Sequence, residues 1–110
     1  MGFFVQATYV IQPEKWGVFI PSTEKRLKYM KENPEKFKEL KSWKLLSHDL
    51  GGKAGQYSEM WEFDSLAEYQ KWHMRMITDK DYMKIINQEF MSIIVGATWS
   101  RDLWDTIMQI

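Results

Sequence analysis

The chain contains no cysteine, which removes disulfides, thiolate nucleophiles, zinc–thiolate centres and cysteine-held iron–sulfur clusters. It has no excess of either charge: 15 basic and 15 acidic residues give a formal net charge of zero. Binding to nucleic acid by bulk electrostatics is therefore disfavoured, and no nucleic-acid partner is expected. No run approaches the ~20 apolar residues of a membrane-spanning helix, so no membrane partner is expected either. The opening MGFFVQATYV lacks the basic start and long apolar stretch of a secretory leader, and the cytoplasm is the expected compartment. No His, Asp and Glu stand at metal-ligand spacing, and no Gly-x-Ser-x-Gly elbow is present, so no metal and no cofactor are expected. The glycine-rich run Gly51-Gly52-Lys53-Ala54-Gly55 lacks the spacing of a phosphate loop and reads as a hairpin turn.

What is abundant is aromatic surface. Six Trp, five Tyr and six Phe occur in 110 residues, a length that fits one domain spanning 1–110 with a modest core. One small core has difficulty hiding so many rings, and an oligomer interface or a ligand cavity would use the remainder. Eight Met residues add side chains that adapt to irregular gaps.

The hydrophobic pattern alternates between periods of two and of 3.6. Phe3, Val5, Ala7, Tyr9 and Ile11 share one face of a strand whose other face carries Gln6 and Thr8. Pro13 and Glu14 suit a helix start, and Trp16, Ile20, Thr23, Leu27 and Met30 mark an apolar stripe, with Pro21 predicting a kink or two helical pieces. The Lys-rich stretch from Lys25 to Lys44, interleaved with Glu32, Glu35 and Glu39, reads as a solvated face with i,i+4 pairs. Asn33-Pro34-Glu35 predicts a fresh helical start. Strands follow over 42–50, with Trp43, Leu45 and Ser47 on one side and Lys44, Leu46 and His48 on the other, and over 56–63. Ser65-Leu66-Ala67-Glu68 is a capping box, opening a helix with Leu66, Tyr69, Trp72 and Met76 on one stripe. Thr78 and Asp79 end or bend it, Tyr82 to Phe90 predict another short helix, and a last strand is expected from Ile93 to about Trp104. The order strand, helix, strand, strand, helix, strand is that of an α+β, ferredoxin-like βαββαβ protomer, with four antiparallel strands and helices on one face. Its second sheet face is not cleanly polar in any strand, which calls for a partner. A second copy of the sheet supplies one by two-fold symmetry, giving a homodimeric α/β barrel.

The segment Ser58-Glu59-Met60-Trp61-Glu62-Phe63-Asp64-Ser65-Leu66-Ala67-Glu68-Tyr69, together with Asp79-Lys80-Asp81-Tyr82, resembles the NIPSNAP-like family of the dimeric α/β-barrel superfamily. The resemblance covers roughly Trp43 to Trp104. It implies a protomer that dimerises sheet to sheet. It also implies kinship with cofactor-independent monooxygenases, haem-degrading enzymes and ligand sensors, among which fold does not choose.

Three functions follow as expectations: a small aromatic molecule bound and oxygenated without a cofactor, a non-catalytic dimerisation or interaction module, and a haem-binding or haem-degrading enzyme. The candidate catalytic residues are Glu59 and His73. Glu59 lies mid-strand between Tyr57 and Trp61, so its carboxylate must be hydrogen-bonded, paired (Lys44 or Arg101 being the available cations) or raised in pKa by desolvation and able to act as a base. His73 follows Trp72 at the edge of the helix stripe; the resemblance implies an imidazole in the pocket or on iron one residue earlier, at the position of Trp72, and His73 is the histidine nearest to it. The alternative is a surface imidazole bonded to a carboxylate. The candidate ligand-binding residues are Trp61, Tyr57, His48, Trp43 and Trp99. The three tryptophans form either a flat slot for a planar ligand or part of a dimer core, and His48 points either into a lumen or to solvent.

Overall fold

The computed structural model describes residues 2–48 and 51–110. Four strands, β1 (Phe3–Val10), β2 (Ser42–Ser47), β3 (Gln56–Phe63) and β4 (Ser100–Asp105), form one sheet in the order β2-β3-β1-β4. Every neighbouring pair is antiparallel. Three α-helices, α1 (Trp16–Glu32), α2 (Leu66–Met76) and α3 (Lys80–Ile85), complete the ferredoxin-like arrangement on one face of the sheet. No helix among the described residues is long and apolar enough to cross a membrane.

The alternation in β1 fixes which face is covered. Phe3, Val5, Ala7 and Tyr9 are buried while Phe4, Gln6, Thr8 and Val10 are half-buried. Register carries this across the sheet: Val5 opposes Trp61, and Trp61 opposes Trp43. Beneath the helices lie two apolar clusters. One joins Phe3, Val5, Trp61 and Phe63 to Tyr69, Trp72 and Met76 of α2. The other joins Tyr9 and Ile11 to Phe19 and Phe90. The opposite face of the sheet carries no helix and presents Trp104, Phe4, Met60 and Leu46, with Trp104 55% exposed.

Local signals in the sequence act as expected in several places. Ser65 accepts a hydrogen bond from the Glu68 amide at 3.2 Å and so opens α2. The 51–55 turn joins β2 to β3, and Gly55 has φ +77°, where a Cβ would stand 2.6 Å from Trp16 Nε1. Asp79 does more than end α2. Its carboxylate caps α3 by accepting from the Tyr82 amide at 2.9 Å, accepts from the Tyr29 hydroxyl, and pairs with Lys36 at 2.7 Å. Asp79→Ala is expected to cost about 0.5–2 kcal/mol, the range for loss of an N-cap, measured as a shift in the urea midpoint.

Four expectations are corrected. Pro21 does not split α1 into two pieces: the helix runs continuously through it, with the hydrogen bond that its missing amide would donate left unmade. The buried face of α1 is Phe19, Ser22, Thr23 and Arg26, while Trp16 and Ile20 are half exposed; the face is rotated toward Arg26 by the need to pair a buried carboxylate, described below. Strand β2 ends at Ser47, and of its expected extension only His48 lies within the described residues; 49 and 50 lie outside them. The last strand begins at Ser100, not Ile93. The segment before it forms 3₁₀ turns at Met91–Ile93 and Gly96–Thr98, with Ile94 bridging to Ile11.

Candidate functional site

The site begins with a charge in the sheet. Glu59 on β3 faces the helices and is 1% exposed. A buried carboxylate without partners is costly, and Glu59 has partners on every side. Arg26 from α1 donates to both its oxygens, at 2.8 Å and 2.7 Å. The Tyr9 hydroxyl donates at 2.5 Å, Trp43 Nε1 at 3.0 Å and Trp61 Nε1 at 3.2 Å. Burial alone would raise the Glu59 pKa, but the charge and hydrogen bonds of Arg26 overcome it and hold the carboxyl below its usual 4.5. Burial, joined by the Glu59 charge, pushes the Tyr9 phenol far up. The Arg26 guanidinium also lies over the Phe90 ring, 4.5 Å from its centroid. Of the three states open to Glu59 in the sequence, pairing is the one realised, and its cation is Arg26, not Lys44 or Arg101. Lys44 lies on the opposite face of β2, opposing Met60.

Above this pair lies a cavity of about 200 Å³ between the sheet and the α2–α3 layer. Glu59 and Arg26 form its floor, and Trp61, Trp72, Met76, Met83, Phe90 and Trp99 supply much of its wall. A π-helical turn over Ile86–Phe90 continues α3, and it brings both Ile86 and Phe90 to the cavity. Such turns recur at functional sites because they shift side chains out of helical register. Aromatic packing sets the wall: Trp61 and Trp72 centroids are 5.1 Å apart, and Trp99 stacks on Tyr9 at 6.0 Å and 24°.

His73 and Arg101 also line the cavity. His73 is half-buried, its ring 5.6 Å from that of Tyr69 and tilted 30° to it. Burial and then the positive charge of Arg101 lower its pKa from 6.5, leaving a neutral imidazole near pH 7. The bond to a nearby carboxylate that would make it a surface ion pair is absent among the described residues.

The structure thus gathers Glu59, His73, Trp61 and Trp99 around one cavity and leaves the other candidates outside its lining. Trp43 backs the site, its indole bonded to Glu59. The Tyr57 ring packs on Phe19 at 4.4 Å. His48 is exposed beyond the end of β2 and borders a shallow depression with Gln6, Thr8 and Ser58. No flat three-tryptophan slot forms: Trp43 meets Trp61 edge-on at 81°, and Trp99 stacks on Tyr9 instead. Among the described residues, no group of three His, Asp or Glu could hold a metal ion.

Arg26 escaped the sequence reading because it sits in a run of Lys and Glu. One signal was present. The chain has only three arginines, Arg26, Arg75 and Arg101, and arginine is favoured over lysine where a carboxylate must be met by two parallel hydrogen bonds. Two of the three do this: Arg26 with Glu59, and Arg75 with the buried Glu39 at 2.7 Å and 2.5 Å.

No protein-family model matches the chain, and neither does any curated protein. Solved structures do match. A NIPSNAP family protein from Agrobacterium tumefaciens superposes with a TM-score of 0.72 at 14% identity, covering 94% of this chain and 91% of that one. A putative antibiotic biosynthesis monooxygenase from Caulobacter crescentus gives 0.72 at 17% identity, covering 97% and 91%. SnoaB, a cofactor-independent oxygenase from Streptomyces nogalater, gives 0.68 at 7% identity, covering 99% and 96%. At these identities the likeness establishes the ferredoxin-like fold these proteins share.

Proposed function

We propose that the chain is a NIPSNAP-like homodimer, joined through the open faces of two sheets, that binds a small aromatic molecule in the helix–sheet cavity and oxygenates it without a cofactor. The observation that carries this reading is an aromatic cavity with a neutral imidazole in its lining. A purely structural dimer has no need of such a space, and a cavity open as far as His73 favours a binding site over a solid interaction module.

His73 is the base in this reading. Its neutral form takes the proton of a hydroxyarene, and the electron-rich phenolate then reacts with dioxygen. For a simple phenol the balance is one substrate and one O2 giving one quinone and one water. One oxygen atom enters the ring, the other leaves as water, and the substrate supplies all four electrons. Glu59 serves differently. Its oxygens are filled by five donors, more than the four lone-pair sites of a carboxylate readily serve. It holds Arg26, Tyr9 and Trp61 in place as a positioning residue.

The test is oxygen uptake with one- and two-ring hydroxyarenes. His73→Gln is expected to lower kcat by about 10²- to 10⁴-fold, the usual contribution of a positioned base. The acid limb of the wild-type rate profile should lie below pH 6.5, because only neutral His73 accepts the proton and its pKa is depressed. Uptake no faster than the protein-free rate, or unaffected by His73→Gln, would overturn the reading.

A further inference from the structure

The charges at the cavity do not cancel. Arg26 is neutralised by Glu59 through two short hydrogen bonds. Arg101 lies on β4 opposite Ala7 and lines the cavity with His73 and Tyr69. It is exposed and forms no ion pair among the described residues, whereas Arg26 and Arg75 both hold carboxylates. With His73 neutral, the site carries one uncompensated positive charge, on a guanidinium whose planar donors suit a carboxylate or phenolate. The rest of the wall is apolar and aromatic, so an anion without a ring would leave it empty.

Size narrows the ligand further. A cavity of about 150 Å³ lined by apolar side chains accommodates benzene, and drug-sized ligands take roughly 300 Å³ or more. The present cavity, about 200 Å³, fits one substituted ring.

Resting on the cavity reading above, we infer that the ligand is a small aromatic monocarboxylate of benzoate type, any ring hydroxyl staying neutral until His73 takes its proton, whose ring lies among Trp61, Trp72 and Phe90 and whose carboxylate is held by Arg101. The ring's π-face has aromatic and methionine neighbours on the wall, and the charged group stays at the partly hydrated rim, where Arg101 meets it without full burial. Arg101 is then the specificity-determining residue: it selects for charge, and the cavity selects for size.

The test compares benzoate with benzamide, which has nearly the same shape and no charge, by calorimetry on the full chain. Wild type is expected to bind benzoate about tenfold to a hundredfold more tightly than benzamide, the scale of a charge-assisted hydrogen bond. Arg101→Gln should bring the two within about threefold, under 1 kcal/mol, chiefly by weakening benzoate. Arg101→Lys should restore part of the preference. As Arg101 is exposed on an edge strand, unchanged circular dichroism serves as the folding control. A three-ring arene carboxylate should fail to compete. If wild type binds both ligands equally, the anion inference is overturned while the cavity reading stands. If neither binds, both fall. If the three-ring acid binds as well as benzoate, the size limit is wrong.

Discussion

Glu59→Gln is expected to destabilise the fold by about 3–5 kcal/mol, the cost of breaking a buried ion pair and leaving one charge unpaired. The glutamine keeps the shape and one acceptor oxygen, so the loss measures charge more than volume. Arg26, 3% exposed, would be left with a buried charge facing a neutral amide. Arg26→Lys should recover part of the stability of Arg26→Met but not all, since an ammonium cannot reproduce two parallel bonds. In a double-mutant cycle, Arg26→Met with Glu59→Gln should cost less than the two single changes summed, because each single change strands a partner. The double variant will not reach wild type: Tyr9, Trp43 and Trp61 are left to share one amide oxygen, which leaves buried donors unsatisfied. Urea midpoints at fixed protein concentration give these values.

The same pair sets an acid limit. The folded Glu59 pKa lies below its usual 4.5. Its contribution is therefore fully present above pH 4.5 and is lost as pH falls through the depressed folded value. Wild-type stability should fall below pH 4.5 more steeply than that of Glu59→Gln, which has no proton to take up at that position.

Trp104→Ala is expected to raise the dimer dissociation constant by about 10³-fold. A sheet-face dimer is isologous, so a residue on the open face acts twice. A buried tryptophan anchor is worth about 2 kcal/mol or more at an interface, and two copies give about 4 kcal/mol. Trp104 sits beside Phe4 in register, is 55% exposed in the protomer, and has no role in the helix-side core. Sedimentation equilibrium decides it. A wild-type monomer at micromolar concentration would refute the dimer, and a variant that dimerises like wild type would move the interface elsewhere.

Much of the fold was legible because it rests on local rules. The alternation of Phe3 to Ile11 identifies β1 and its buried face, since a period of two has no other solution in a one-sided sheet. Gln56–Phe63 was read to the residue, and the Ser65–Glu68 box opened α2 where capping chemistry requires it. What was not legible depends on contacts distant in sequence. Arg26 and Glu59 are 33 residues apart, and nothing near Arg26 distinguishes it from the solvated lysines around it. Once Glu59 is buried, α1 must rotate to bring that guanidinium inward, which leaves Trp16 and Ile20 half exposed. The start of β4 was misplaced because Ile93, Val95 and Ala97 alternate as a strand would, while Ile93 is in fact held in the second core cluster by a 3₁₀ turn. For the site, Glu59, His73, Trp61 and Trp99 were legible as chemistry-bearing types in ordered elements. Their meeting around one cavity depends on how β3, α2 and the segment before β4 pack together, which no local pattern records.

The six tryptophans allow the central claim to be tested in one spectrum. In a ¹H–¹⁵N correlation experiment each indole N–H reports its own surroundings. On titration with benzoate, the Trp61, Trp72 and Trp99 signals are expected to move together along one saturable curve, while Trp16, outside the cavity lining, and Trp104, on the open sheet face, stay fixed. Shifts confined to Trp104, or no shifts at millimolar ligand, would contradict that claim.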